Sequence, residues 1–270
     1  MEIKIFRRGE GADYSAFLEE NNADLDIYYS LSFLEVESNQ QGVGFEIFTA
    51  SERGDLFVYP YFKLQISKPH EGWYDISSPF GYAGPWCNSP EFFAKAEKQL
   101  VEYLSERCVS EFVRYHFLYN QAEEQRFAVN CQNHFNRDIV VTNLTEGTIY
   151  DPARHMSSRN LKYYRSLMAG GFSFRFYSIP DYYELFTGMY HDTMRQAGAA
   201  ADKFFPGSYF LALNEALGDK CRLAGVEKDG IIYSMVFFFN SGGILQYYLS
   251  GRDLRFTKVP SSVVMFAELA

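Results

Sequence analysis

The sequence predicts a mixed α/β (α+β) fold, helices on a hairpin-containing sheet, built twice into two similar lobes. Three observations carry this. A weak internal repeat runs at a constant offset of 176 (202 − 26): DIYYSLSFLE from Asp26 matches DKFFPGSYFL from Asp202, so that Tyr28 and Tyr29 meet Phe204 and Phe205, and Phe33 meets Tyr209. The same offset lays FEIFTASERGDLFVYPYF (45–62) on CRLAGVEKDGIIYSMVFF (221–238) and puts Gly54 on Gly230. Both glycines sit where strand-like runs meet in charged turn chemistry, SERGD and EKDG, which signals a hairpin. Finally, 270 residues with 47% hydrophobic content suit two modest cores, since domains centre on roughly 100–150 residues. The expected lobes are 1–150 and 151–270.

Taken in order, the first lobe should hold helices near 13–20 and 30–38 and strands near 44–50, 55–66 and 73–77. A loop rich in glycine and proline, SPFGYAGPW (78–86), follows. The next helix spans about 91–107, where Phe92, Phe93, Ala96, Leu100, Tyr103 and Leu104 keep helical spacing. Strands near 111–118 and 138–142 complete the lobe. In the second lobe FSFRFY (172–177) reads as a strand and DYYELFTGMYHDTMRQ (181–196) as a helix opened by Pro180. Strands near 220–227, 230–240 and 244–249 precede a last helix from about Pro260. Under the offset, Ala270 corresponds to residue 94 (270 − 176), so the second lobe is expected to be truncated, without counterparts of the strands near 111–118 and 138–142.

A net charge of −9 opposes broad binding to DNA, which relies on Lys and Arg neutralising phosphates. Four cysteines (Cys87, Cys108, Cys131, Cys221) form no CxxC, and five histidines (His70, His116, His134, His155, His191) lack metal-ligand spacing. Neither a metal nor a disulfide framework is expected. The start lacks the apolar core of a signal peptide, and the longest apolar run, IIYSMVFFF (231–239), is far short of the ~20 residues of a membrane span. A soluble, cytoplasmic protein is expected, and the sequon at Asn143 is then fortuitous.

Charge chemistry concentrates in two places. From Pro152 to Pro180 there are five basic residues (Arg154, Arg159, Lys162, Arg165, Arg175) and no Asp or Glu. On a helix Arg159, Lys162 and Arg165 share one side while Leu161, Tyr164 and Met168 fall on the adjacent side. Such a helix can pack and still grip phosphate or carboxylate, or it is a solvated linker. The second place is SGRDLRFTKVP (250–260), where Arg252, Arg255 and Lys258 precede a helix. A polyphosphate or the end of a tRNA lying there would meet side-chain cations and a helix N-terminus near Ser261 and Ser262; the alternative is an exposed loop. No pairing of nucleophile and base is readable, so the catalytic residues stay unassigned.

The element order, with a loop between a central strand and the following helix, resembles the GNAT acyltransferase fold. Its duplication resembles the FemAB/FemX aminoacyltransferases and their polysaccharide-associated relatives. The matching stretches are Gly84-Pro85 in SPFGYAGPW, the basic helix in SSRNLKYYRSLMAGGFSF (157–174), the pair MYHDTMRQAGA (189–199) and DKFFPGSYFLAL (202–213), and YLSGRDLRFTKVPSSVVMFAEL (248–269). Ala83 stands where the family has a basic residue before Gly-Pro, and Cys87-Asn88 where an acidic residue is often found. The coenzyme A fingerprint is absent from 78–90, where Pro79, Pro85 and Pro90 remove three backbone donors. The resemblance implies transfer of an acyl or aminoacyl group from acyl-CoA (acetyl-CoA) or aminoacyl-tRNA to an amine, or second a hydroxyl, of a cell-envelope or surface-glycan precursor. It places the donor at Arg252, Arg255, Lys258 and Ser261, and the acceptor at Gly81, Tyr82, Gly84, Arg159, Lys162 and Arg165. A non-catalytic glycan-binding or scaffold protein is the alternative, as an inert turn is for Gly81 to Pro85.

Overall fold

The computed structural model describes residues 1–67, 70–119, 134, 138–143 and 156–269. The chain divides into two compact units, Met1–Ile139 and Val140–Ala270. The expected boundary at 150/151, like Cys131, Arg154 and His155, lies outside the described residues.

The first unit opens with β1 (Glu2–Phe6), α1 (Gly11–Glu20), a 3-10 turn at Ile27–Tyr29 and α2 (Leu31–Gln41). A hairpin of β2 (Gly44–Glu52) and β3 (Asp55–Gln65) follows, then β4 (Tyr74–Ser77), the two-residue β5 (Trp86–Cys87), α3 (Pro90–Leu104) and β6 (Cys108–Phe112). The sheet runs β1-β2-β3-β4-β6, with β5 against β3. Every pairing is antiparallel except β4 with β6. A parallel pair needs a crossover, and α3 supplies it. The Ser89 side chain caps α3 by accepting from the Phe92 N–H, and Pro90 fits the first turn because its missing donor is not needed there. Residues 45–50 and 56–62 are buried without alternation, so both faces of this hairpin are covered. On one face Phe92, Phe93, Ala96, Leu100 and Leu104 of α3 pack on Phe48, Phe57, Tyr59, Tyr61 and Ile76.

The second unit runs α4 (Ser158–Ala169), β7 (Ser173–Tyr177), α5 (Ile179–Gln196), α6 (Gly207–Leu217), β8 (Cys221–Lys228), β9 (Ile231–Ser241), β10 (Ile244–Arg252) and α7 (Ser261–Leu269). Its described sheet, β10-β9-β8-β7, is antiparallel throughout. Val264 and Met265 of α7 cover one face with Ala224, Val226, Val236 and Phe238, and Tyr164, Leu167 and Met168 of α4 pack beside them. Phe186, Tyr190 and Phe210 meet Phe237 or one another by tilted, stacked or edge-on ring contacts elsewhere in the unit.

The repeat holds to the level of single dihedral angles. Under the offset of 176, α6 falls on α2 and β9 on β3 at both ends. The two hairpins turn through Arg53-Gly54 and Asp229-Gly230, all four residues with positive φ, as a two-residue turn that follows the twist of its strands requires.

Three expectations are corrected. The strand near 111–118 is β6, which ends at Phe112 because β4 stops at Ser77 and leaves nothing to pair with. Residues 138–142 form no strand. The strands β1 and β5 were not foreseen: β1 keeps much of its surface exposed, and β5 has only two residues. Among the described residues, no helix is long and apolar enough to cross a membrane.

Candidate functional site

In the first unit the C-terminal ends of the parallel strands β4 and β6 part, and two segments leave them: the loop 78–87 and residues 113–119. Ser78 ties both together. Its N–H donates to Phe112 O (2.9 Å), its Oγ accepts from the Arg114 N–H (2.9 Å), and its hydroxyl donates to Ala83 O (2.7 Å). Gly81 has φ +110°, and a Cβ there would stand 2.2 Å from the Tyr28 ring, so only glycine fits. The Tyr29 hydroxyl donates to Gly84 O (2.9 Å). Tyr82 lies edge-on to both Tyr28 and Phe117, forming a half-buried aromatic wall. Of the residues assigned to the acceptor, Gly81, Tyr82 and Gly84 therefore share one braced loop.

Beneath the loop lies a pair that the sequence reading missed. Asp26 and His116 have fully buried side chains, with Oδ2 and Nε2 2.7 Å apart. His116 Nδ1 accepts backbone N–H groups from Leu118 and Tyr119, each at 3.2 Å. Nδ1 is thus the unprotonated nitrogen, and the proton on Nε2 points to Asp26. The ring is stacked against Phe117 and Tyr119, whose hydroxyl accepts the Asp26 N–H (2.9 Å). With both nitrogens engaged, His116 positions the segment 113–119 and is not free to take a substrate proton.

The carboxyl nearest this opening along β6 is Glu111. It pairs in register with Ile76, one residue before the strand ends. The Tyr59 hydroxyl donates to its Oε1 at 2.5 Å. Although much of Glu111 is exposed, its carboxyl is pushed up, by desolvation first and by nearby Glu97 last, with the Tyr59 hydrogen bond opposing.

In the second unit the corresponding junction follows β10. Arg252 Nη2 donates to Gln196 Oε1 (2.8 Å), and Arg255 grips Asp253 through three contacts of 2.6–3.0 Å. Lys258 is exposed and forms no ion pair among the described residues. The Ser261 N–H is already donated to Val259 O (2.9 Å). On α4, Arg159, Lys162 and Arg165 are exposed and pair with no described carboxylate, while the Tyr164 hydroxyl docks on Glu268 (2.6 Å). The Arg159 guanidinium lies 5.6 Å from the centre of the Tyr163 ring.

The chain is similar in structure to FemX. The likeness to a crystal structure of FemX has a TM-score of 0.62 at 12% identity and covers 100% of this chain and 85% of that one. A probable N-acyltransferase of unknown function from Enterococcus faecalis V583 matches at TM-score 0.34 and 8% identity, covering 99% and 63%. No family model matches the chain, and no curated protein does. The FemX likeness gives the fold alone, a mixed α/β chain of two units.

Two other features are chemically quiet. A cavity of about 450 Å³ in the second unit is lined by Phe176, Ser178, Asn214, Cys221 and Arg222, but Arg222 is paired with Asp219. The Cys221 thiol, which contacts Gly218 O, is pushed up to about 12 by burial, which removes it as a nucleophile near neutral pH. Among the described residues no group of three or more His, Cys, Asp or Glu could hold a metal ion.

Proposed function

We propose that this chain transfers an acyl or aminoacyl group from acyl-CoA or aminoacyl-tRNA to an amine, or second a hydroxyl, of an anionic cell-envelope or surface-glycan precursor. One observation carries the reading. The two halves of the repeat have equivalent junctions of strand, loop and helix, and the first has no charged residue from 78 to 90 while the second bears Arg252, Arg255 and Lys258. A donor rich in phosphate fits the second, with Ser261 at the start of α7. The exposed Arg255 guanidinium rests on a mostly buried Asp253 carboxylate, so a phosphate there would share Arg255 with Asp253. Gly81, Tyr82 and Gly84 in the first unit, and Arg159, Lys162 and Arg165 in the second, are each assigned to acceptor binding.

The chemistry needs few groups. The acceptor nitrogen attacks the donor carbonyl, a C–N bond forms, the C–S or C–O bond breaks, and the amine gives up a proton. A carboxyl whose affinity for protons is raised above that of a free carboxylate suits that last step, and Glu111 is assigned to it. The test incubates the purified chain with acetyl-CoA or aminoacyl-tRNA and a panel of amine-bearing glycan precursors, reading product mass and donor loss. One donor should be consumed faster with acceptor present, and Glu111→Gln should lower that rate by about 10²–10⁴-fold with donor binding retained. Donors left intact with every acceptor, while a glycan still binds, would instead make this a binding or scaffold protein.

A further inference from the structure

At the opposite end of the first sheet from the loop 78–87, a cleft of about 310 Å³ is lined by Arg7, Glu46, Lys63, Tyr74, Tyr103 and Arg107, among others. Its centre is the buried Glu46. Oε1 accepts from Arg7 (3.0 Å) and Lys63 (3.3 Å), and Oε2 from the hydroxyls of Tyr61 (2.9 Å) and Tyr103 (3.1 Å). These contacts join β2 and β3 to α3 and to Arg7 just beyond β1. Burial alone would push the Glu46 carboxyl up, but Lys63, Tyr61, Arg7 and Tyr103 together hold it below its ordinary value.

Glu46 is saturated, and its cations are not. Arg7 and Lys63 keep further N–H donors, and no described residue forms a hydrogen bond or ion pair with the Arg107 guanidinium on the same cleft. With Glu106 the lining carries three cations and two carboxylates, a local excess of one positive charge (3 − 2) on a chain of net charge −9. Lys63 is further fixed over the Tyr74 ring, 4.3 Å from its centre. Cations held in place by an enclosed carboxylate, beside an arginine with no hydrogen-bond or ion-pair partner for its guanidinium among the described residues, form a ready receptor for a planar or tetrahedral oxyanion. The volume is at the lower end of small-molecule sites.

We propose that this cleft binds the carboxylate or phosphate group of a small ligand, with Arg107, Arg7 and Lys63 as donors and Glu46 as the residue that positions them. The site is separate from the proposed transfer and does not depend on it.

Inorganic phosphate and acetate are the probes, titrated calorimetrically into the full chain at constant ionic strength with chloride as the blank. One of the two should bind saturably. Arg107→Ala, at an exposed position, should keep the circular dichroism of the wild type and weaken binding about tenfold or more, the loss expected for one charge-assisted hydrogen bond. Lys63→Ala should weaken it similarly. Tighter binding of one probe identifies the ligand class. Heats no larger than those of chloride, or affinity unchanged in Arg107→Ala, would overturn the proposal.

Discussion

Asp26 and Asp202 occupy the same place in the repeat and do opposite work. Asp26 is buried, caps the 3-10 turn at Ile27 and holds His116. Asp202 is exposed and pairs with the neighbouring Lys203. The junctions differ in the same sense. In the first unit, Tyr28, Tyr29 and Ser78 lock the loop 78–87 by hydrogen bonds and ring contacts, and His116 fixes the neighbouring segment 113–119. In the second, the stretch after β10 spends its polar groups on local, exposed pairs. The two units thus share a backbone plan while their loops differ, one presenting a rigid neutral surface and the other accessible charge. Rigid surfaces suit positioning a reactant, and accessible charge suits capturing one.

The contrast breaks most visibly at the buried pair. Replacing His116 with Ala leaves the Asp26 carboxyl buried without the imidazole and frees the segment 113–119. A loss of about 3–5 kcal/mol is expected from urea unfolding, against no measurable loss for Asp202→Ala on the exposed counterpart. Similar costs at both positions would mean that the first junction is no more tightly built than the second. Gly81→Ala comes next. It adds a positive-φ penalty and a clash with a Tyr28 ring that is itself buried, for about 2–4 kcal/mol. A change under ~0.5 kcal/mol would show that the loop relaxes freely.

The physics of the repeat explains what could be read in advance. Elements made by local chemistry, such as α2, α3 with its apolar face and the two Gly-containing hairpins, were placed within a few residues, because periodicity and turn residues are written in adjacent positions. Groups whose meaning depends on distant partners were not. Glu46 in FEIFTASE looks like the solvent face of a strand, yet its partners are Arg7, Tyr61, Lys63 and Tyr103. His116 in RYHFLY looks like part of an alternating strand, and only the fold brings it to Asp26, 90 residues earlier. Asp26 itself was visible in the repeat, but as a register mark. The cation clusters on α4 and after β10 were legible because charge asymmetry needs no tertiary knowledge; that Arg255 already rests on Asp253 was not.

The smallest effect on stability, and the sharpest on function, is expected at the second junction. Arg255 is exposed and Lys258 carries no ion pair among the described residues, so Arg255→Ala with Lys258→Ala should leave the urea unfolding midpoint close to that of the wild type. If the donor's phosphates rest there, the same substitutions should weaken donor binding and flatten its dependence on salt, because fewer counterions are then exchanged on binding. Titrating coenzyme A and charged tRNA at two salt concentrations separates the outcomes. Weaker binding with an unchanged salt slope would point to a lost local contact away from the phosphates. Undiminished binding in the double variant would remove the donor from this loop and leave its charge as a solubilising surface.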